Sequence, residues 1–184
     1  MLTATKDSIK VHDKEFIVHI EAVEIQKKVA ELGGRINSDY KGKNPILVGV
    51  LNGCFAFMAD LIKHLDIECE ITFLKVASYS GMKSDGKINE IIGLETNLKG
   101  RHLIIVEDIV DTGGTINHLI QKFDEQAPAS IKLATAIFKP SALVHNVQPD
   151  YTGFKSGPDF LLGYGMDYDG LGRNLQDIYI LKQN

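Results

Sequence analysis

Apolar positions along the chain change their period at a few places, and each change marks an element. Near the start, Ile9, Val11, Phe16, Val18 and Ile20 alternate loosely with polar neighbours, the pattern of short strands at an edge. From Glu21 the apolar residues Ile25, Val29, Leu32 and Ile36 recur at helical spacing, which predicts a helix to about Asp39 in spite of Gly33 and Gly34. Pro45 then opens a short continuous apolar run at 46–51, as a strand buried on both faces requires. Beyond Asn52-Gly53, the spacing of Phe55, Met58, Leu61, Ile62 and Leu65 predicts the next helix. Residues 69–79 and 87–95 read as two strands joined by a polar, glycine-bearing loop over 80–86. A buried strand follows at 103–106, a helix at 116–123 and a strand at 131–138 that ends at Lys139-Pro140. From Ser141 the chain reads as loop-rich, with short apolar pieces at 160–164 and 178–181.

Strands alternating with helices predict an α/β fold, a central mainly parallel sheet flanked by helices. We expect one domain over 1–184, its core at about 21–140 and a small hood built from about 1–20 and 141–184. A chain of 184 residues is long enough for one such core and short for two. Apolar residues at 44% and charged residues at 24% exclude wholesale disorder. The net charge of −4 argues against a nucleic-acid partner, since any basic face has to be local. The apolar runs are far short of a membrane span and no signal peptide opens the chain, so no membrane is expected. Two cysteines, Cys54 and Cys69, are too few for a disulfide scaffold, and a cytoplasmic home is expected.

The chemistry gathers in Glu107-Asp108-Ile109-Val110-Asp111-Thr112-Gly113-Gly114-Thr115, directly after a buried strand. A glycine turn opening a helix aims free backbone N–H groups and the helix dipole at an anion, usually phosphate. Thr112 and Thr115 add hydroxyl donors. The acids Glu107, Asp108 and Asp111 would repel a bare phosphate, so the ligand has to present hydroxyls or a metal ion beside it. A ribose 5-phosphate meets that need. An isolated Gly-Gly turn is as often a plain solvated turn; the composite is far less so.

This segment resembles the phosphoribosyl-pyrophosphate (PRPP) motif of type I phosphoribosyltransferases, and the remaining segments are similar to their hypoxanthine-guanine branch. The resemblance implies the type I phosphoribosyltransferase fold. It further implies purine salvage by transfer of the 5-phosphoribosyl group from PRPP to N9 of hypoxanthine or guanine, giving IMP or GMP and pyrophosphate. Glu107 and Asp108 would hold the ribose hydroxyls, and Thr112, Gly113, Gly114 and Thr115 the 5-phosphate. Asp111 would exchange a proton with N7, which is general acid–base catalysis by a carboxylate. Asn52 and Gly53 occupy the pyrophosphate turn, where backbone N–H groups act and many relatives carry a lysine in place of Asn52. Ser78 and Tyr79 open the loop that closes over the reacting centre and excludes water. Lys139 would donate to O6, a preference that separates 6-oxopurines from adenine. In the tail 158–168, Phe160 would stack on the base, the Leu161 backbone would meet its edge, and Asp167 would bind the purine near its 2-position and lie near the metal. Arg173 would grip pyrophosphate with its fork of donors.

The metal implied is Mg²⁺, held by substrate oxygens together with Glu107, Asp108 and Asp167. The histidines 12, 19, 64, 102, 118 and 145 are scattered with no pair at zinc spacing. Cys54 fits the turn as a small residue, and a nucleophilic thiol would need a His or Lys beside it. Lys155-Ser156-Gly157 stands where many relatives are more apolar. A homodimer or homotetramer is expected because similar enzymes form them. Two other readings stay open: a xanthine-preferring phosphoribosyltransferase, and a PRPP-binding RNA regulator of the same fold without turnover.

Overall fold

In the computed structural model, residues 2–4, 8–78, 88–92 and 96–183 are described. The chain begins with three strands, β1 (Leu2–Ala4), β2 (Ser8–Val11) and β3 (Lys14–Ile20), and enters helix α1 (Ala22–Asp39). Strand β4 (Ile46–Leu51), helix α2 (Phe55–Leu61), β5 (Glu70–Ser78) and β6 (Ile88–Ile92) follow. Then come β7 (His102–Val110), α3 (Gly114–Asp124), β8 (Ser130–Phe138), β9 (Tyr151–Lys155), β10 (Leu161–Leu162) and β11 (Ile178–Leu181).

The six-stranded core sheet runs β6-β5-β4-β7-β8-β9, parallel throughout except that β6 opposes β5. Its side chains alternate between two apolar layers, as the strand period of two demands. Leu47, Ile104, Val106 and Ala134 face α1 and α2, packing with Ile25, Val29, Leu32 and Phe57. Ile46, Val48, Leu103 and Ile105 face the other way, against Ile116, Leu119 and Phe123 of α3. Burial of each Val, Leu, Ile or Phe among them contributes about 1.5–3 kcal/mol. The second sheet, β1-β2-β3-β11-β10, is antiparallel and brings the two ends of the chain together. It is joined to the core at the start of α1, where the Ala22 N–H donates to Asp177 Oδ1 at 2.7 Å. Among the described residues no helix is long and apolar enough to cross a membrane.

Three elements differ from the sequence reading. The helix expected to run through Leu65 ends at Leu61, and 62–64 form a 3-10 turn whose Ile62 still packs on the core. The strand expected at 103–106 runs on through Val110, so Glu107 and Asp108 lie inside it. The stretch after Ser141 is not all loop, because β9 pairs in parallel with β8 and carries the core sheet past residue 140. Tyr79 and the loop 80–86 lie outside the described residues, while Ser78 is the last residue of β5.

Candidate active site

Strand order places the crevice. From β4 the chain moves to β5 on one side, and later to β7 on the other, so β4 and β7 flank the point where the winding reverses. Ligands of open α/β sheets bind beyond the carboxyl ends of the strands at such a point. Here the carboxyl end of β4 carries the 52–53 turn, with a cis Leu51–Asn52 peptide bond. The end of β7 carries Glu107 and Asp108. The two ends touch: a Cβ on Gly53 would lie 1.8 Å from Asp108 Oδ2, so no other residue fits there without displacing the carboxylate.

Glu107 and Asp108, adjacent in sequence, line different cavities. Asp108 is buried and faces a cavity of ≈ 190 Å³ shared with Asp111, Lys139, Phe160, Leu161 and Asp167. Glu107 faces a neighbouring one of ≈ 90 Å³ shared with Thr112, Gly113, Gly114 and Thr115. The β7–β8 ladder keeps one register from His102–Ser130 to Val110–Phe138, so the strand alternation turns Glu107 and Asp108 to opposite faces. Burial drives both carboxyls toward the neutral form. Asp108 is pushed up to about 6 by desolvation, against the pull of backbone N–H donors and the Arg173 charge, with Asp167 raising it further. Glu107 is raised well above the usual carboxylate range by desolvation and then by Asp108. Its Oε2 is enclosed and has no hydrogen-bond partner among the described residues, in keeping with a carboxyl held toward its neutral form.

The smaller cavity is a phosphate-sized cradle. Gly113 caps α3 at φ +80°, a left-handed conformation that favours glycine, and no side chain caps the helix. The Gly114 N–H makes a long contact of 3.4 Å to Thr112 Oγ1, and the N-terminal turn of α3 otherwise faces the cradle without a side-chain cap, as an anion site requires. The Thr112 carbonyl accepts from the N–H groups of Val144 at 3.0 Å and His145 at 3.1 Å, tying the turn to the segment after β8.

In the larger cavity Lys139, 3% exposed, donates to Asp111 Oδ2 at 3.2 Å. Phe160 lies at the rim, 44% exposed, its ring 5.8 Å from Tyr168 and 6.1 Å from Phe16. Tyr168 is in turn fixed by donating to Asp13 at 2.8 Å. Asp167 accepts from Arg173 Nη2 at 2.6 Å and from the Gly170 N–H at 2.8 Å, and Arg173 Nη1 donates to Gly165 O at 2.7 Å. The structure thus brings Asp108, Asp111, Lys139, Phe160, Leu161 and Asp167 together. It sets Glu107 with the glycine turn next door, and Asn52-Gly53 and Arg173 at the margin. Ile109 and Met166, which also line the cavity, had no distinguishing signal in the sequence. The support from Asp13 and Phe16 could not be read there either, because β2 and β3 meet the tail from far away in the chain.

No group of three His, Cys, Asp or Glu side chains among the described residues forms a metal-ligand cluster. Asp108 and Asp167 line one cavity, and a cation there would relieve the buried carboxyl of Asp108. Those two fit a metal whose other ligands are substrate oxygens and water. Cys54 is buried, with its thiol raised by desolvation and then by Glu107 and Asp108, which leaves it inert rather than nucleophilic. A roomier cavity of ≈ 600 Å³ lies between α1, α2 and residues 173–176. Arg173 lines this cavity, whereas the acids, the glycine turn and Lys139 line the smaller pair.

A glycine turn and an acidic strand end at the switch point, beside an uncapped helix N-terminus, place the molecule among open-sheet α/β proteins with ligand sites at strand carboxyl ends. The sequence model of the phosphoribosyl transferase domain matches residues 19–169. The hypoxanthine-guanine phosphoribosyltransferase of Streptococcus pneumoniae (strain ATCC BAA-255 / R6) is 44% identical over 171 residues, 92% of this chain and 93% of that protein. That of Bacillus subtilis (strain 168) is 42% identical over 172 residues, 93% of this chain and 95% of its own. A solved hypoxanthine phosphoribosyltransferase from Staphylococcus aureus superposes with a TM-score of 0.86 at 35% identity, covering 90% of each chain. The chain belongs to the phosphoribosyltransferase family, in its hypoxanthine-guanine branch.

Proposed function

We propose that this chain transfers the 5-phosphoribosyl group of PRPP to N9 of hypoxanthine or guanine, releasing pyrophosphate and forming IMP or GMP. The observation that carries the reading is the Lys139–Asp111 pair beneath an exposed aromatic ring, in a cavity that adjoins the α3 phosphate cradle. In this reading the 5-phosphate accepts from the N–H groups of 113–115 and the Thr112 and Thr115 hydroxyls. The sugar hydroxyls donate to Asp108 and Glu107. The base stacks on Phe160, with O6 toward the Lys139 ammonium and N7 toward Asp111. As N9 bonds to C1 of the ribose and the C1–O bond to pyrophosphate breaks, the N7 proton passes to the Asp111 carboxylate.

Backbone donors of the Gly53 turn and the Arg173 guanidinium are suited to the departing pyrophosphate. A Mg²⁺ ion, held by Asp108, Asp167 and substrate oxygens, supplies neutralisation of the leaving group's charge when bound. Asp111→Asn keeps the shape and removes the base. We expect its single-turnover rate to fall about 10²- to 10⁴-fold while PRPP affinity stays within about threefold. Equal losses in both would show that Asp111 binds rather than catalyses.

A further inference from the structure

Tyr164 stands between Gly163 and Gly165 at φ +48°, a left-handed conformation uncommon for a side-chain-bearing residue. It is buried, and its phenol donates to Asp60 Oδ2 of α2 at 3.0 Å. The same carboxylate accepts from Gln26 of α1 at 2.6 Å and from Lys63 at 2.8 Å. Desolvation, with Asp60 next, raises the phenol pKa, so it stays a donor at working pH.

One residue on, Gly165 packs against the turn after β4 so closely that a Cβ there would lie 2.0 Å from Gly53 O. Gly165 O receives Arg173 Nη1 at 2.7 Å, and the Gly165 N–H donates to Arg173 O at 3.1 Å. Arg173 then holds Asp167. A continuous set of contacts therefore runs from the α1–α2 surface through one phenol to the two groups that flank the crevice.

We infer that Tyr164, anchored by Asp60, is a positioning residue for the pyrophosphate side of the site, fixing the Arg173–Asp167 pair relative to the Gly53 turn. The inference rests on the reading of Gly53 and Arg173 as pyrophosphate contacts. A buried tyrosine that only fills the core predicts something else: removal of its hydroxyl lowers stability and leaves substrate preference untouched. A displacement at Gly165, by contrast, falls first on the Arg173–Asp167 pair at one edge of the cavity and leaves Phe160 and Lys139, the groups read as holding the base, in place.

The test is steady-state kinetics of Tyr164→Phe, Arg173→Ala and the double variant, with PRPP and hypoxanthine varied separately in Mg²⁺ buffer. Tyr164→Phe raises KM for PRPP about fivefold, the worth of one net hydrogen bond, and keeps KM for hypoxanthine within about twofold. In the Arg173→Ala background it adds nothing further, since the two act through one path. Asp60→Ala withdraws the same anchor from α2 and gives the same split, which keeps the inference testable should either variant fold poorly. Equal shifts in both KM values, an effect that persists undiminished beside Arg173→Ala, or an unchanged PRPP KM in Tyr164→Phe or Asp60→Ala overturns it. Arg173→Ala with an unchanged KM for PRPP instead overturns the pyrophosphate reading, and the inference falls with it.

Discussion

Asp108 is a carboxyl group largely withdrawn from water, packed against Gly53 and sharing a cavity with Asp167. Its pKa of about 6 in the folded chain lies above the value near 3.9 of an unfolded aspartate. Below both values the group is protonated in either state and costs nothing. As pH rises between them the unfolded chain loses the proton first, so stability falls, by roughly 3 kcal/mol once pH exceeds 6. Asp108→Asn removes that penalty. We predict that the melting temperature of the free variant exceeds that of the parent at pH 8 and that the gap closes toward pH 4.5. A gap independent of pH, measured by calorimetry, would contradict a neutralised Asp108. The same substitution should lower kcat/KM for PRPP at least tenfold, so the residue trades stability for binding. Cys54 gives a second check. With its thiol buried and its pKa raised, mass spectrometry of the folded chain alkylated at pH 8 should show Cys54 unmodified, and labelling as fast as in the denatured chain would refute the inert assignment.

At the level of elements, the turn after β4 and the carboxyl end of β7 are one unit. Gly53→Ala puts a methyl group where the Asp108 carboxylate lies, and the turn or the acid has to move. The expected outcome is a loss of about 10²-fold in kcat/KM for PRPP, with little change in KM for hypoxanthine. A variant with parental kinetics would mean that the contact is slack. How far these elements could be read from the chain depends on what each one buries. β4, β7 and β8 lie inside the sheet, so their apolar runs were plain. The reading of β7 stopped at Glu107 because charge ends an apolar run, although backbone pairing with β8 continues through Val110. β9 escaped notice because an edge strand buries only Tyr151 fully, and Thr152 and Gly153 break its apolar alternation. α2 was drawn too long because Ile62 and Leu65 pack on the core from outside the helix. Of the site, the acidic run, the glycine turn and Lys139 were legible as local motifs carried by a family resemblance. The division of Glu107 from Asp108, and the Tyr164–Asp60 anchor, depend on strand parity and on contacts between distant segments.

On the scale of the whole molecule, one apolar face lies open. Ile71 and Phe73, 43% and 37% exposed, share the side of β5 opposite Leu74, and Phe73 lies against Gly49 of β4. Exposed apolar groups gathered in this way favour self-association. We expect light scattering to give the mass of a dimer or tetramer, and Phe73→Glu to shift it toward the monomer. A monomeric parent at micromolar concentration would oppose this. The central claim is tested most directly by pyrophosphate release at fixed PRPP and Mg²⁺ with hypoxanthine, guanine, xanthine and adenine as acceptors. Rapid release is expected with hypoxanthine or guanine and little with adenine. Adenine as the best acceptor, or no release with any of the four, would contradict it.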